Sequence, residues 1–245
     1  MKTEIINYTV DGKTFKGFVA YDPTIKEKRP GILVAHAWQG QDNFAKEKAK
    51  ELAGLGYVGF AADVYGDGVS VDSNEKAEEL MAPLFKDRAS LRKRIVAAYE
   101  ALRKLPYVDP KRIGAIGFCF GGLTVIELLR SGADLHGVVS FHGLLGFDMG
   151  KMKAKAEPNA KKLNGPILIL HGHDDPLVST AHIQGIQKEL TDAGVDWQMH
   201  IYGHTSHAFT NPQANDKNLG LIYNQKAAKR SWQSMINFFQ ETLAP

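Results

Sequence analysis

The feature that most constrains this chain is an apolar stretch that runs directly into the motif Gly-x-Cys-x-Gly-Gly at residues 117–122. The apolar pattern of residues 112–118 predicts a buried strand, and residues 122–130 predict a helix soon after it. A sharp strand-to-helix turn strains the backbone at its central residue, and side chains two residues before and after would collide with neighbouring backbone. The two flanking glycines remove those collisions. The motif therefore predicts a turn that presents the Cys119 sulfur at the N-terminus of a helix.

Strand-like and helix-like segments alternate on both sides of this turn. The chain opens with two segments, 5–10 and 15–21, that flank the turn pair Asp11-Gly12 and predict an antiparallel hairpin. Apolar runs predict further strands at 31–37, 57–62, 112–118, 137–141, 167–170 and 197–201. Helical patterns are found at 43–55, 86–105, 122–130, 180–193 and 221–242. This order predicts an α/β protein with a mostly parallel central sheet, an N-terminal antiparallel hairpin and helices on both faces.

Composition and charge exclude several functional classes. Apolar residues make up 44% and charged residues 23% of the chain, as in an ordinary globular protein. The 30 Lys and Arg exceed the 27 Asp and Glu by too little to favour nucleic acid as a partner. No apolar window reaches the roughly 18 residues of a membrane span, no signal peptide is recognisable, and a single cysteine cannot form an internal disulfide. With no repeat or linker dividing it, we expect one cytoplasmic domain over residues 1–245, with neither a membrane nor a nucleic-acid partner.

Two later segments supply the residues that a cysteine nucleophile needs. His207 follows the predicted strand 197–201 and is the candidate base. Asp174 and Asp175 follow the predicted strand 167–170, and either carboxylate is a candidate for orienting that base. The order nucleophile, acid, histidine, each just beyond a strand, is the chain order of α/β-hydrolases.

These motifs make the chain resemble the dienelactone hydrolase family, the carboxymethylenebutenolidase-like branch of the α/β-hydrolases with a cysteine nucleophile. The matching segments are 117–122, 172–178, 207–209 and 63–66. They read Gly-Phe-Cys-Phe-Gly-Gly, Gly-x-x-Asp-Pro-x-Val, His-Ala-Phe and Asp-Val-Tyr-Gly, and the resemblance extends over nearly the whole chain. In this family the acid stands three residues after the glycine and three before the valine, which selects Asp175.

The resemblance implies an α/β-hydrolase fold and an enzyme that cleaves a carboxylic ester or lactone of a small molecule. Cys119 would form an acyl-thioester intermediate, assisted by His207 and Asp175, without a metal or an organic cofactor. The backbone N–H groups of Phe120 and Trp38 would form the oxyanion hole.

The substrate pocket is expected at the carboxyl ends of the strands, where parallel sheets build their sites. Candidate lining residues are His36, Tyr65, Arg88, His142, Phe209 and Asn211. The loops 65–79 and 151–162 are candidates for bordering the pocket, although a solvated surface role stays open for each.

Several positions depart from the members of this family that open dienelactones. Ala37 stands where those enzymes have a glutamate in the early loop, and Asn211 stands where one of two substrate-binding arginines is found. The segment 65–80 contains no arginine, which leaves Arg88 as a nearby substitute. Because a bidentate arginine is hard to replace in carboxylate recognition, these departures argue against a true dienelactone as the substrate.

Two alternatives of other kinds stay open. His171, His173 and Asp175 could be ligands of a metal-dependent hydrolase, with His204 and His207 as later ligands. The chain could also be a binding protein that keeps the fold without catalysis, because a fold does not fix a function.

Overall fold

The computed structural model describes residues 1–155 and 163–244. The strands are β1 (Lys2–Val10), β2 (Lys13–Tyr21), β3 (Arg29–Ala35), β4 (Val58–Ala61), β5 (Val108–Phe118), β6 (Val138–Phe141), β7 (Asp148–Met149), β8 (Met152–Lys153), β9 (Ile167–Gly172), β10 (Trp197–Tyr202), β11 (Asn215–Asp216) and β12 (Leu221–Ile222). The helices are α1 (Asn43–Gly54), α2 (Asn74–Lys86), α3 (Arg88–Arg103), α4 (Phe120–Arg130), α5 (Thr180–Asp192) and α6 (Gln225–Thr242).

The main sheet has eight strands in the order β1-β2-β4-β3-β5-β6-β9-β10. The pairs β1–β2 and β2–β4 are antiparallel, and the strands from β4 to β10 are parallel to one another. Asp11 and Gly12 both have positive φ, 49° and 77°, as the favoured two-residue hairpin turn requires. The predicted hairpin and the predicted mostly parallel sheet are confirmed.

Helices cover both faces of this sheet. The apolar side chains of α2, α3, α4 and α5 pack on one face, and those of α1 and α6 pack on the other. Neighbouring residues of β5 point to opposite faces, so Ala115 joins the first cluster and Ile116 the second. Because both faces are covered, the central strands are apolar at successive positions, and fully burying one such large side chain contributes about 1.5–3 kcal/mol.

The structure corrects the prediction between β4 and β5. The polar segment 65–79 was expected to be a loop followed by one helix over 86–105, but α2 begins at Asn74 and a second helix, α3, follows it. Ser73 caps α2 by accepting a hydrogen bond from the Lys76 N–H at 3.3 Å. Asp87 separates the two helices and caps α3 through the Ser90 N–H at 3.0 Å.

The other long elements were placed within a few residues of their observed ends. The last helix starts at Gln225 rather than at residue 221, because Leu221 and Ile222 form β12. Among the described helices, none is both long and apolar enough to span a bilayer.

The carboxyl ends of β3, β5, β6, β9 and β10 lie along one edge of the sheet, because these strands are parallel. The residues that follow them include Trp38, Cys119, His142, Asp175 and His207. The topology therefore brings together side chains that are far apart in the sequence.

Candidate active site

Cys119 lies on the sharp turn between β5 and α4. Its backbone has φ 55° and ψ −116°, a conformation that L-residues rarely adopt, and its N–H donates to the Phe141 carbonyl at 3.1 Å. A Cβ on Gly117 would collide with the Gly121 backbone, and one on Gly121 would lie 2.6 Å from the Ala35 carbonyl carbon. The glycines are therefore required by close backbone approach on both sides of a strained and half-buried cysteine.

His207 and Asp175 form a buried pair beside this turn. The imidazole Nδ1–H donates to Asp175 Oδ2 at 2.7 Å, and both side chains are 0% exposed. The second carboxylate oxygen, Oδ1, accepts from the Leu177 N–H at 2.9 Å, so the acid is held at both oxygens. With Nδ1 engaged in this way, Nε2 is the ring nitrogen without a hydrogen-bond partner among the described residues, and the charge of Cys119 acts on the ring.

The charge of His207 follows from these neighbours. Burial alone lowers its pKa, but the negative charge of Cys119 and the hydrogen bond to Asp175 outweigh that effect and raise the pKa to about 10. An imidazolium facing the sulfur is therefore favoured at neutral pH.

Asp174, the adjacent carboxylate, has a different environment. Its side chain is exposed and contacts His173 Nδ1 at 2.9 Å, on the outside of the protein. Of the two candidate acids, the one that reaches His207 is Asp175.

His171 and His173 do not come together in the metal site that the sequence left open as an alternative. His173 is exposed, whereas His171 is buried, and burial lowers the pKa of His171. Across the described parts of the chain, no group of three or more His, Cys, Asp or Glu side chains is placed to share a metal ion. The arrangement of these described side chains therefore does not fit a metal site.

His142 follows β6 and contacts the same site. It is 2% exposed, its Nε2 is 2.7 Å from Thr210 Oγ1, and its ring lies edge-on to that of His207 with centroids 5.2 Å apart. Burial, and next the charge of His207, lower the pKa of His142 well below its usual value. The site thus contains one charged and one neutral imidazole.

The two proposed oxyanion donors come from α4 and from the loop after β3. Phe120 is the first residue of α4, and the N–H groups of a first helical turn have no partner within their own helix. Trp38 is held by the Tyr65 hydroxyl, which donates to its carbonyl at 2.8 Å. The Tyr65 ring in turn stacks on Phe120 at 6.3 Å between centroids. Burial, and next the charge of Cys119, raise the pKa of Tyr65, so the hydroxyl keeps its proton.

A cavity of about 630 Å³ opens above Cys119. Among the residues predicted to belong to the site, those that line it are Trp38, Cys119, His142, His207 and Asn211. His36, Tyr65, Phe209 and Arg88, which were also expected to line the pocket, lie outside its wall.

Two of the residues that do not line the cavity, His36 and Arg88, have partners within the protein instead. His36 donates through Nδ1 to the Ala37 carbonyl at 2.6 Å and accepts at Nε2 from the Val64 N–H at 3.3 Å, which fixes the loop after β3. Arg88 is 2% exposed, donates through Nε to the Phe85 carbonyl at 2.7 Å and lies 3.8 Å from the Glu127 carboxylate. It is buried and does not belong to the cavity lining.

The rim of the cavity was largely missed by the sequence analysis. We define the rim as α2, the hairpin of β7 and β8, and the segment 211–222. Its lining side chains include Glu78, Met81, Met149, Lys151, Met152, Asp216 and Leu219. Two-residue strands carry no periodicity, and the Ser73 cap of α2 was the available signal for that helix. The segments 65–79 and 151–162, which were expected to border the pocket, each contribute lining residues. Residues 156–162 of the second segment lie outside the described part of the chain.

A mostly parallel sheet with helices on both faces is the architecture of the α/β-hydrolases, and here Cys119 follows β5, Asp175 follows β9 and His207 follows β10. The chain belongs to the dienelactone hydrolase family, whose sequence profile matches residues 15–243. The predicted family and fold class are both confirmed.

Individual relatives extend over the same length. The protein m3DLH, whose structure is solved, has 39% sequence identity to this chain. The two structures superpose with a TM-score of 0.92 over 99% of each chain. The structure of a dienelactone hydrolase-like promiscuous phosphotriesterase from metagenomic libraries is 36% identical, also with a TM-score of 0.92 over 99% of both chains. A protein of Aquifex aeolicus (strain VF5) named "Putative carboxymethylenebutenolidase" is 28% identical over 245 residues, which cover 98% of this chain and 99% of the relative.

The chain is accordingly an enzyme, a dienelactone hydrolase-like hydrolase of carboxylic esters or lactones. This finding confirms the predicted enzyme class. It removes the alternative of a binding protein without catalysis.

Proposed function

We propose that the protein cleaves a small-molecule ester or lactone with Cys119 as nucleophile, His207 as acid and base, and Asp175 as the group that orients His207. The observation that carries this proposal is the buried imidazole of His207, which is hydrogen-bonded to Asp175 through Nδ1 and lines the same cavity as Cys119. No step requires a metal or an organic cofactor.

In the acylation step, the Cys119 sulfur attacks the carbonyl carbon and the carbonyl oxygen becomes an oxyanion. The Phe120 and Trp38 N–H groups would stabilise that charge, each by about 2.7–4 kcal/mol by analogy with other acyl-transfer enzymes. When the intermediate collapses, the ester C–O bond breaks and the proton on His207 passes to the leaving oxygen. The product is an alcohol and an acyl-thioester on Cys119.

Deacylation uses the same groups in reverse. Neutral His207 takes a proton from water, and the resulting hydroxide attacks the thioester carbonyl. The C–S bond then breaks, and the acid leaves while the sulfur and the imidazolium return to their starting charges. Asp175 keeps the ring oriented through both steps.

We also infer that these 245 residues act as one domain in the cytoplasm. The single cysteine is free and lies at the site, and a reducing compartment keeps such a thiol reduced.

The experiment that tests the triad uses Cys119→Ala, with Cys119→Ser as its partner variant. Turnover of a 4-nitrophenyl ester should fall to background in the alanine variant, while circular dichroism stays that of the wild type. Since the chain has one cysteine, a single iodoacetamide adduct by mass spectrometry reports Cys119 alone, and the ester should slow its formation. Normal turnover by Cys119→Ala would refute the proposal.

A second candidate activity is the hydrolysis of neutral phosphotriesters, favoured by the 36% identity to the phosphotriesterase relative. Here the Cys119 sulfur would attack phosphorus, the P–O bond to an aryl leaving group would break, and water would later cleave the P–S bond. An aryl diethyl phosphate assayed with wild type and Cys119→Ala tests it, and equal rates with the two proteins would reject it.

A further inference from the structure

We propose that the cavity selects uncharged substrates with a bulky apolar group and discriminates against esters that carry a carboxylate. This inference rests on the proposed function and names its substrate class. The observation behind it is an excess of carboxylates and of apolar, adaptable side chains around the cavity.

The described side chains that line the cavity carry more negative than positive charge. The described lining residues contain three carboxylates, Asp42, Glu78 and Asp216, and a single ammonium, that of Lys151, with no arginine among them. Carboxylate recognition in proteins depends chiefly on a guanidinium that can bind both oxygens. A carboxylate on the substrate would meet repulsion from these three groups and attraction from one ammonium on an exposed turn, because the charge of the His207 imidazolium is offset by those of Cys119 and Asp175.

Two of these carboxylates are held in place by backbone N–H groups. Asp42 caps α1 by accepting from the Ala45 N–H at 3.0 Å, and Asp216 accepts from the Asn218 and Leu219 N–H groups at 2.9 and 3.0 Å. These bonds hold the two side chains at the cavity, where they cannot readily swing away from an incoming anion. The neutral ring of His142 adds no compensating positive charge.

Apolar side chains also line the cavity. Met81, Met149 and Met152 come from three different elements and all line the cavity. Unbranched thioether side chains adapt to ligands of different shape, which suits a bulky and variable apolar group. Leu219 also lines the cavity while 42% exposed, so an apolar ligand would cover side-chain surface that now faces solvent. The volume of about 630 Å³ is that of a site for a drug-sized ligand.

The test compares matched 4-nitrophenyl esters that differ in one feature. A butyrate and a hemisuccinate differ by the carboxylate, and a butyrate and a phenylpropionate differ by the aromatic group. We expect kcat/KM for the butyrate to exceed that for the hemisuccinate by about tenfold or more at low salt, because clefts of one charge sign alter association by such factors. The phenylpropionate should be the best of the three substrates.

A triple variant, Asp42→Asn, Glu78→Gln and Asp216→Asn, removes the negative charges and keeps side chains of similar shape. It should raise the hemisuccinate-to-butyrate ratio of kcat/KM several-fold. The matched control is Glu47→Gln, Asp192→Asn and Glu241→Gln, which makes the same charge change on helices outside the cavity wall and should leave the ratio unaltered.

The outcomes separate this inference from the proposed function. If Cys119→Ala abolishes turnover of every ester but wild type accepts the hemisuccinate as well as the butyrate, the substrate class is wrong and the triad stands. An equal change of the ratio in the two triple variants would likewise overturn the role given to the cavity carboxylates. Cleavage of the esters without Cys119 would instead refute the proposed function.

Discussion

We define the floor of the cavity as Cys119 and His207 together with Asp175, which is hydrogen-bonded to His207. The floor lies at the ends of sheet strands, whereas most of the rim lies in short segments outside the main sheet. The turn that carries Cys119 is fixed by the close approach of Gly121 to Ala35, and Asp175 is held by the Leu177 N–H and by His207. The rim consists of one helix and strands of two residues, with exposed side chains such as Leu219. The difference teaches that the floor is tied to the folding of the sheet, while β7, β8 and the segment 211–222 of the rim can change with less disturbance of the core than α2, which contributes Met81 to it.

After the loss expected for Cys119→Ala, the largest effect is expected at the floor, from Asp175→Asn. The change removes the charge that orients the imidazole, and the corresponding replacement in a serine protease triad lowers kcat by about 10⁴. We expect kcat to fall by about 10²–10⁴, with a much smaller change in KM, in steady-state assays of a nitrophenyl ester. Asp174→Asn is the control, because its carboxylate is exposed and contacts His173. A larger loss at Asp174 than at Asp175 would overturn the assignment of the acid.

The charge of His207 gives the second test of the floor. Its pKa of about 10 depends on Cys119 more than on any other favourable contact, and burial opposes it. Below pH 10 the wild-type ring should therefore be a cation, and in Cys119→Ala the pKa should fall. NMR signals of the imidazole, followed from pH 5 to 10.5, measure the His207 pKa in the wild type and in Cys119→Ala. The control variant, Asp174→Asn, should leave the wild-type pKa of His207 unchanged. A His207 signal that titrates identically with and without the sulfur would show that the two groups are not coupled.

The floor could be predicted from the sequence because each of its features leaves a local signal. The apolar run before Gly117 specifies a buried strand, the paired glycines specify the turn, and chain order supplies the acid and the histidine. The same reasoning could not separate Asp174 from Asp175, since neighbouring side chains diverge only in three dimensions. The family pattern selected Asp175, and the geometry agrees with that choice.

The rim and the pocket wall could not be predicted in this way. Arg88 shows the reason: its position suggested a substrate contact, but its direction on the helix places it against Glu127 inside the protein. His36 and Tyr65 follow strands as lining residues do, yet their hydrogen bonds hold the loop that carries Trp38. Which way a side chain points at a strand end depends on contacts that the sequence does not reveal.

A pair of glycine substitutions compares the two regions directly. In Gly121→Ala the new Cβ would clash with backbone of β3, which should cost about 3 kcal/mol or more of unfolding free energy and most of the activity. In Gly150→Ala, on the rim, nothing lies within 4 Å of the new Cβ, and the strain at φ 59° should cost about 1–2 kcal/mol. Urea unfolding and kcat/KM give both quantities. Equal losses at the two positions would contradict a rigid floor beside a tolerant rim.

The smallest effect is expected on the rim, from Leu219→Asn. The backbone bond of residue 219 to Asp216 is kept, so the change removes only apolar surface at the mouth of the cavity. Losing about 1 kcal/mol of contact should raise KM for the phenylpropionate ester about fivefold and leave kcat nearly unchanged. Leu55→Asn is the matched control, because Leu55 is 44% exposed and lies outside the cavity wall. If Leu219→Asn lowered kcat and left KM alone, residue 219 would act on the chemistry, and the division between floor and rim would have to be drawn elsewhere.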